Sequence, residues 1–143
     1  MTKEITITTL VDAPIDSVWN SFTVPADIVH WNNADKDWHT PHAENDLREG
    51  GSFNYRMESK DKKQGFDFRG TYTKVKPFAL IEYTMDDGRK VSNTFSSGPS
   101  GVTVTVTFET EQTYPEEKQR EGWQAILDRF KQYVETKSKG MKP

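Results

Sequence analysis

The feature that most constrains the fold is the alternation of apolar and polar residues through the second half of the chain. Within residues 52–109, apolar side chains recur at every second position, in short runs separated by Gly, Pro, Asp and Lys. In the clearest run, three valines and a phenylalanine hold the even positions from 102 to 108, with threonines between them. A period of two predicts strands that bury one face and expose the other. We therefore predict about five antiparallel strands in succession.

The N-terminal part of the chain predicts one more strand and two short helices. Glu4–Val11 alternates in the same way, and Asp12-Ala13-Pro14 then ends the strand and starts a helix, with Asp12 or Ala13 as its cap and Pro14 in its first turn. A second short helix is predicted from Pro25 to about Trp31. Before it, apolar residues follow the i, i+3, i+4, i+7 spacing of an amphipathic helix: Ile15, Val18, Trp19 and Phe22.

Residues 32–49 are polar, mixed in charge and without periodicity, so we predict one long loop, which is functional or mobile. Within it, His39 and His42 raise the question of a metal site or a general base. Pro41 opposes a helix that would align the two imidazoles, and no zinc-ligand spacing is present. A solvated loop is therefore favoured, and Asp46, Arg48 and the following Gly50-Gly51 pair are expected to form a structural turn.

The C-terminal part predicts one long helix. Thr113 to Glu116 contains a candidate capping box with a proline in the first turn. Gly122, inside the helix, costs about 1 kcal/mol relative to alanine, which suggests close approach of a strand, a neighbouring ring or a ligand, and packing of the protein itself is favoured. A polar tail, Lys137–Pro143, is expected to be disordered. The helix has a single apolar stripe: Trp123, Ile126, Leu127, Phe130 and Val134.

This order of elements predicts an α+β fold. A sheet built from hairpins needs one face covered, and the C-terminal helix is the element long enough to cover it. We expect a curved antiparallel sheet wrapped around that helix, with residues 1–143 as a single domain. A space between the two would be the natural place for a ligand.

Composition excludes several classes of protein. The 143 residues carry 19 Lys and Arg against 22 Asp and Glu, a formal net charge of −3, which argues against a nucleic-acid partner. The absence of cysteine excludes disulfides and thiolate-bound metals. Apolar runs fall short of the roughly 20 residues that span a bilayer, and the start lacks a signal-peptide pattern. We expect a cytoplasmic protein without a membrane partner.

Aromatic residues make up 12% of the chain, and large rings line a hollow as readily as they fill a core. The alternation places several rings on the inward face of the strands, Tyr72 among them. The residue types that nucleophilic catalysis, metal binding or phosphate binding require do not occur in a recognisable pattern, so no catalytic residue, metal or cofactor is predicted. The candidate ligand-binding residues are Trp31, Trp38, Phe53, Tyr55, Phe68, Tyr83, Phe95, Trp123 and Phe130.

Four segments, in the same order, resemble the family named after the C-terminal domain of the activator of heat-shock protein 90 ATPase. They cover essentially the whole chain. They are P-x-x-x-V-W at 14–19 with P-x-x-x-x-x-W at 25–31, D-x-R-x-G-G-x-F at 46–53, F-x-G-x-Y at 68–72 with Pro77 and Leu80 beyond, and G-W-x-x-x-L-D at 122–128.

The resemblance implies the helix-grip fold of the START-like, birch-pollen-allergen-like (SRPBCC) superfamily. The eukaryotic activator also uses an N-terminal domain whose motif this sequence lacks, so the resemblance does not carry chaperone activation with it. The leading hypothesis is binding of a small hydrophobic or aromatic molecule between sheet and helix. The alternatives are a chaperone-linked interaction module and a cyclase- or hydrolase-type enzyme that uses His39 or Asp37.

Overall fold

Seven strands form one antiparallel sheet in a computed structural model that describes residues 3–33 and 36–138. The strands are β1 (Glu4–Val11), β2 (Trp38–Asn45), β3 (Ser52–Ser59), β4 (Gly65–Lys76), β5 (Leu80–Met85), β6 (Lys90–Gly98) and β7 (Gly101–Glu109). The helices are α1 (Ile15–Thr23), α2 (Pro25–Trp31) and α3 (Glu116–Ser138). Across the described residues, each helix is too short or too polar to cross a membrane.

The sheet is a meander closed by its first strand. Its order is β1-β7-β6-β5-β4-β3-β2, and β1 pairs antiparallel with β7 over its whole length. The sheet curls into a half-barrel, with α3 as the long C-terminal helix and α1 and α2 following the first strand. The predicted α+β helix-grip fold is therefore confirmed.

Alternation decides which side chains enter the core. In β7 the valines and Phe108 are 0–5% exposed, whereas the threonines between them are partly or fully exposed. The same faces of β1, β6 and β5 supply further core residues. From α3, the buried members of the predicted stripe are Leu127, Phe130 and Val134.

Helix α3 also covers one edge of the sheet, the outer side of β1. On β1, the carbonyls of Thr6, Thr8 and Leu10 accept hydrogen bonds from polar side chains of α3. The shortest is donated by Lys131 Nζ to the Leu10 carbonyl, at 2.8 Å. An open strand edge invites pairing with other chains, and these contacts occupy it.

The prediction of a continuous loop over residues 32–49 is wrong, because β2 lies within it and pairs with β3. β2 is an edge strand with polar residues on both faces, so it lacks the apolar alternation that marks a strand. Its register with β3 shifts between His39 and His42, and Pro41 lies at that irregularity, where its missing N–H is tolerated.

Two helix ends differ from expectation. The N-cap of α1 is Pro14, without a side-chain cap, in place of Asp12 or Ala13. At the start of α3, Thr113 and Glu116 do not form the expected capping box. The side chain of Gln119, in the first turn of the helix, instead holds the preceding segment: it accepts from the Glu111 N–H and donates to the carbonyls of Glu111 and Tyr114. α3 includes the first two residues of the expected tail, and residues 139–143 lie outside the described part of the chain.

The predicted turn before β3 is confirmed. Arg48 Nε donates to both carboxylate oxygens of Asp46, at 3.0 and 2.9 Å. Gly50 has a φ of 84°, which favours glycine, and its N–H donates to the Tyr72 carbonyl. The turn therefore ties the start of β3 to β4.

Candidate functional site

A cavity of about 710 Å³ lies between the inner face of the sheet and α3. Strands β3, β4 and β5 form one wall, the first half of α3 forms the opposite wall, and residues at the ends of α1 and α2 contribute at one side. Its interior is lined mostly by rings and aliphatic side chains.

The structure brings seven of the nine predicted residues together around this cavity: Trp31, Trp38, Phe53, Tyr55, Phe68, Tyr83 and Trp123. It places the other two, Phe95 and Phe130, in the solid core. Phe95 packs edge-on against Trp19 and Phe22, and Phe130 packs edge-on against Phe22 and Trp31. These two residues are therefore left out of the proposed site.

Phe53 lies at the centre of the sheet wall. Its ring centroid is 4.8 Å from that of Tyr83, 4.9 Å from Tyr55 and 5.4 Å from Tyr72. Gly70, its cross-strand partner on β4, leaves room for the ring, since a Cβ there would lie 2.8 Å from Phe53 Cε1. The F-x-G-x-Y motif thus supports the wall through this close approach.

Trp123 fixes the helix wall against the sheet. Its indole stacks on Phe108 of β7 with ring centroids 4.2 Å apart and planes 8° apart. Its ring centroid also lies 6.1 Å from that of Phe68, in an edge-on arrangement. Trp123 therefore sets how α3 is rotated about its axis and which residues of the helix face the cavity.

A chain of hydrogen bonds joins the sheet wall to the end of α1. Tyr72 Oη donates to Asn45 Oδ1 at 2.6 Å, and Asn45 Nδ2 donates to the Thr23 carbonyl at 2.7 Å. Burial raises the pKa of Tyr72 to about 12. Burial, together with the neighbouring Tyr72, raises the pKa of Tyr55. Both phenols are therefore neutral at physiological pH.

Tyr83 contributes a polar atom to the cavity. Its side chain lies on the cavity wall, and among the described residues none forms a hydrogen bond with its hydroxyl. Burial raises the pKa of Tyr83, although the positive charge of Arg89 acts in the opposite direction. A neutral phenol in this position can donate a hydrogen bond to a ligand.

Charged residues surround the mouth of the cavity, and their charges balance. Arg69 Nε lies 2.9 Å from Asp86 Oδ2, and Arg89 Nε lies 2.8 Å from Asp87 Oδ2. Asp67 and Lys118 also line the cavity. The mouth thus presents three acids and three bases, so it does not select strongly for either sign of charge.

Gly122 differs from expectation. A Cβ at this position would meet nothing within 4 Å, so close packing of a strand or ring against it is not the reason for the glycine. Gly122 instead lines the cavity. The sequence showed the cost of the glycine but gave no signal for the open space beside it.

Several wall residues were not predicted as ligand contacts. Tyr72 was expected to face inward, and it lines the cavity. Phe66 closes one side of the mouth, 5.9 Å from the Trp38 ring. The alternation in β4 carried this signal for both rings. The apolar stripe of α3 carried it for Ile126 and Leu127, which also line the cavity, together with Met57 and Met85.

The histidines of β2 lie apart from these features. His42 Nε2 pairs with Glu44 Oε1 at 2.9 Å, and both side chains are more than 60% exposed. Within residues 3–33 and 36–138, no three His, Asp or Glu side chains come close enough to hold a metal ion.

Comparison with known proteins gives one family and close structural relatives. Residues 12–135 match the family described as activator of Hsp90 ATPase homolog 1-like protein. An AHSA1-like protein from Aeromonas hydrophila is 39% identical, with a TM-score of 0.89 over 98% of this chain and 96% of that one. A protein from Cytophaga hutchinsonii is 42% identical, with a TM-score of 0.81 over 98% of this chain and 97% of that one.

More distant structures share the fold alone. A protein from Nitrosomonas europaea is 18% identical, with a TM-score of 0.82 over 94% of this chain and 95% of that one. A search of curated proteins found no significant match.

Proposed function

This chain belongs to the activator of Hsp90 ATPase homolog 1-like family, and within that family we propose that it binds a small hydrophobic or aromatic molecule between its sheet and α3. The observation that carries the proposal is the cavity itself. Its volume of about 710 Å³ falls within the range of roughly 300–1,000 Å³ typical of ligand sites. An apolar wall with a few polar atoms is the usual composition of such sites.

The chemistry of the wall favours a neutral ligand with aromatic character. Phe53, Phe68 and Trp123 offer ring faces and edges for offset or edge-on stacking. The Tyr83 hydroxyl offers a hydrogen bond to an acceptor atom. An anionic ligand would meet the carboxylates of the mouth as well as its bases, so charge adds little to its binding.

The geometry favours binding over the two alternatives. The tyrosines of the wall hold their protons, so they are poor general bases, and His39 and Asp37 are not among the residues that line the cavity. The family takes its name from an activator of a chaperone ATPase. A role at a protein surface would not use an inward-facing cavity, so we place ligand binding first.

The test is a titration of isotope-labelled protein, followed by the amide and indole resonances. The panel contains planar phenolics, fatty acids and acyl thioesters. We expect one class to give saturable shifts at Trp31, Trp38 and Trp123. The indole of Trp19 is the internal control, because Trp19 is buried in the core and does not line the cavity.

The outcome separates the hypotheses. Shifts that saturate and fall on the cavity wall would support the proposal and identify the ligand class. Shifts of equal size at Trp19, or an unchanged spectrum across the whole panel, would contradict it.

A further inference from the structure

Gly122 interrupts the face that α3 presents to the cavity. Lys118 precedes it by four residues and Ile126 follows it by four, and all three line the cavity. Residues four apart lie on the same face of a helix. Between these two long side chains, position 122 therefore offers no side chain to the cavity, although Gln119 and Trp123 line it on either side.

The fold itself does not need this glycine. A Cβ at 122 would meet nothing within 4 Å, whereas a Cβ at Gly70 would collide with Phe53. Glycine inside a helix costs about 1 kcal/mol relative to alanine. The ligand-free protein would thus accommodate alanine and gain helix stability, so the open space at 122 has no explanation in the packing of this chain.

The direction of the space is fixed. Because Trp123 is held against Phe108 at 4.2 Å, α3 cannot rotate to turn Gly122 away from the cavity. Phe68 and Tyr83 line the opposite wall. The space is therefore a notch in the cavity side of α3, with the helix backbone at its base.

We infer that Gly122 lets a flat aromatic ring of the ligand lie directly against the backbone of α3, and so sets the largest planar ligand that the cavity accepts. The inference rests on the proposed function and names the ligand class for that site, a planar aromatic molecule. Glycine is the residue that permits such close approach of a ligand to a backbone. A flexible acyl chain could pass around a Cβ, but a rigid ring could not.

The experiment compares Gly122→Ala and Gly122→Leu with the wild-type protein, using the neutral fluorescent probe N-phenyl-1-naphthylamine. The control is Thr136→Ala, roughly four turns further along α3, which also raises helix propensity but does not line the cavity. Affinity is measured by fluorescence titration, and stability without the probe by urea unfolding.

We expect opposite effects on binding and stability. Gly122→Ala should weaken probe binding about tenfold or more, since one methyl group against a bound ring has an effect of this size. Gly122→Leu should weaken it further. The urea midpoint of Gly122→Ala should equal or exceed that of the wild type, and Thr136→Ala should bind the probe as the wild type does.

Each contrary result has its own meaning. Unchanged affinity in Gly122→Leu would overturn the inference and leave the proposed binding function standing. A lowered urea midpoint in Gly122→Ala would show that packing requires the glycine, which also overturns it. If the wild-type cavity does not bind the probe, the proposed function fails for planar ligands, and the inference fails with it.

Discussion

Gly70 and Gly122 both lie inside regular secondary structure, yet their surroundings demand different things of them. Gly70 is buried, with Phe53 on one side and the Thr84 carbonyl on the other, both within 2.9 Å of where a Cβ would be. Gly122 faces open space. Each glycine lies in a motif that the sequence revealed. The motif does not show whether the glycine makes room for another side chain of the protein or for a ligand.

At Gly70 we predict a loss of stability on substitution. Gly70→Ala should lower the free energy of unfolding by about 1–3 kcal/mol, because the added methyl group displaces Phe53 or the β5 backbone. Gly98→Ala is the control, since a Cβ at that exposed position would meet only the Gly101 carbonyl, 4.0 Å away. Urea unfolding measures both, and equal midpoints for the two variants would contradict the prediction.

At the scale of elements, a cluster of side chains joins α2 to the end of α3. Asp27 is 9% exposed, and one of its carboxylate oxygens accepts from both Tyr133 Oη and Lys137 Nζ, the latter at 2.7 Å. His30 stacks on Tyr133 with ring centroids 5.6 Å apart. Since Trp31 at the end of α2 lines the cavity, this cluster also positions one side of the site.

We predict that Asp27→Ala destabilises the protein by roughly 1–3 kcal/mol, because a partly buried tyrosine–carboxylate hydrogen bond is lost along with the lysine contact. Asp128→Ala is the matched control: Asp128 is an exposed acid on α3 and should contribute less than about 0.5 kcal/mol.

Urea unfolding gives both values, and amide hydrogen exchange should show the loss of protection concentrated in α2. If Asp27→Ala changes stability no more than Asp128→Ala does, the cluster does not hold the two helices together.

The elements themselves differ in how far the sequence reveals them. The bounds predicted for β1 and α2 agree with the structure, since an alternating or helical pattern records which faces are buried. β2 was not predicted, because an edge strand rich in polar residues shows no alternation of apolar and polar positions. Its strand conformation depends on pairing with β3, which is a contact between segments and not a property of either one.

For the whole molecule, the buried tyrosines make the stability of the fold depend on pH. Burial raises the pKa of Tyr55, Tyr72, Tyr83 and Tyr133 above the ordinary value of 10.0. Below pH 10.0 these phenols are protonated in both the folded and the unfolded chain, so the stability is fully present. Above it the unfolded chain releases protons that the folded chain retains, and stability falls as the pH rises toward the folded pKa values.

We predict that the free energy of unfolding declines between pH 10.0 and the Tyr72 pKa of about 12. In Tyr72→Phe the decline should be shallower by about 1.4 kcal/mol per pH unit at most, because one fewer phenol titrates. Urea unfolding at a series of pH values measures the slope, and Tyr114→Phe is the control at an exposed tyrosine. Equal slopes in the Tyr72→Phe variant and the wild type would contradict the assignment.

The sequence by itself determined the alternation of the strands, the amphipathic helices and, through four motifs, the family and its helix-grip fold. The strands and helices could be predicted because the pattern of apolar residues along a segment shows which of its faces is buried. The sequence also predicted that aromatic residues line the cavity. It could not distinguish Phe53 from Phe95, since both are inward-facing rings on strands with the same apolar–polar alternation.

Only the tertiary structure decided which inward rings surround a hollow and which fill the core. That distinction depends on where α1 and α3 lie above the sheet: Phe95 packs against two rings of α1, whereas the ring contacts of Phe53 are with residues of the sheet, and Phe53 lines the cavity. The same holds for Gly122, whose open surroundings exist only because Trp123 fixes the helix on Phe108. Empty space is a property of several elements together, so no single segment of sequence records it.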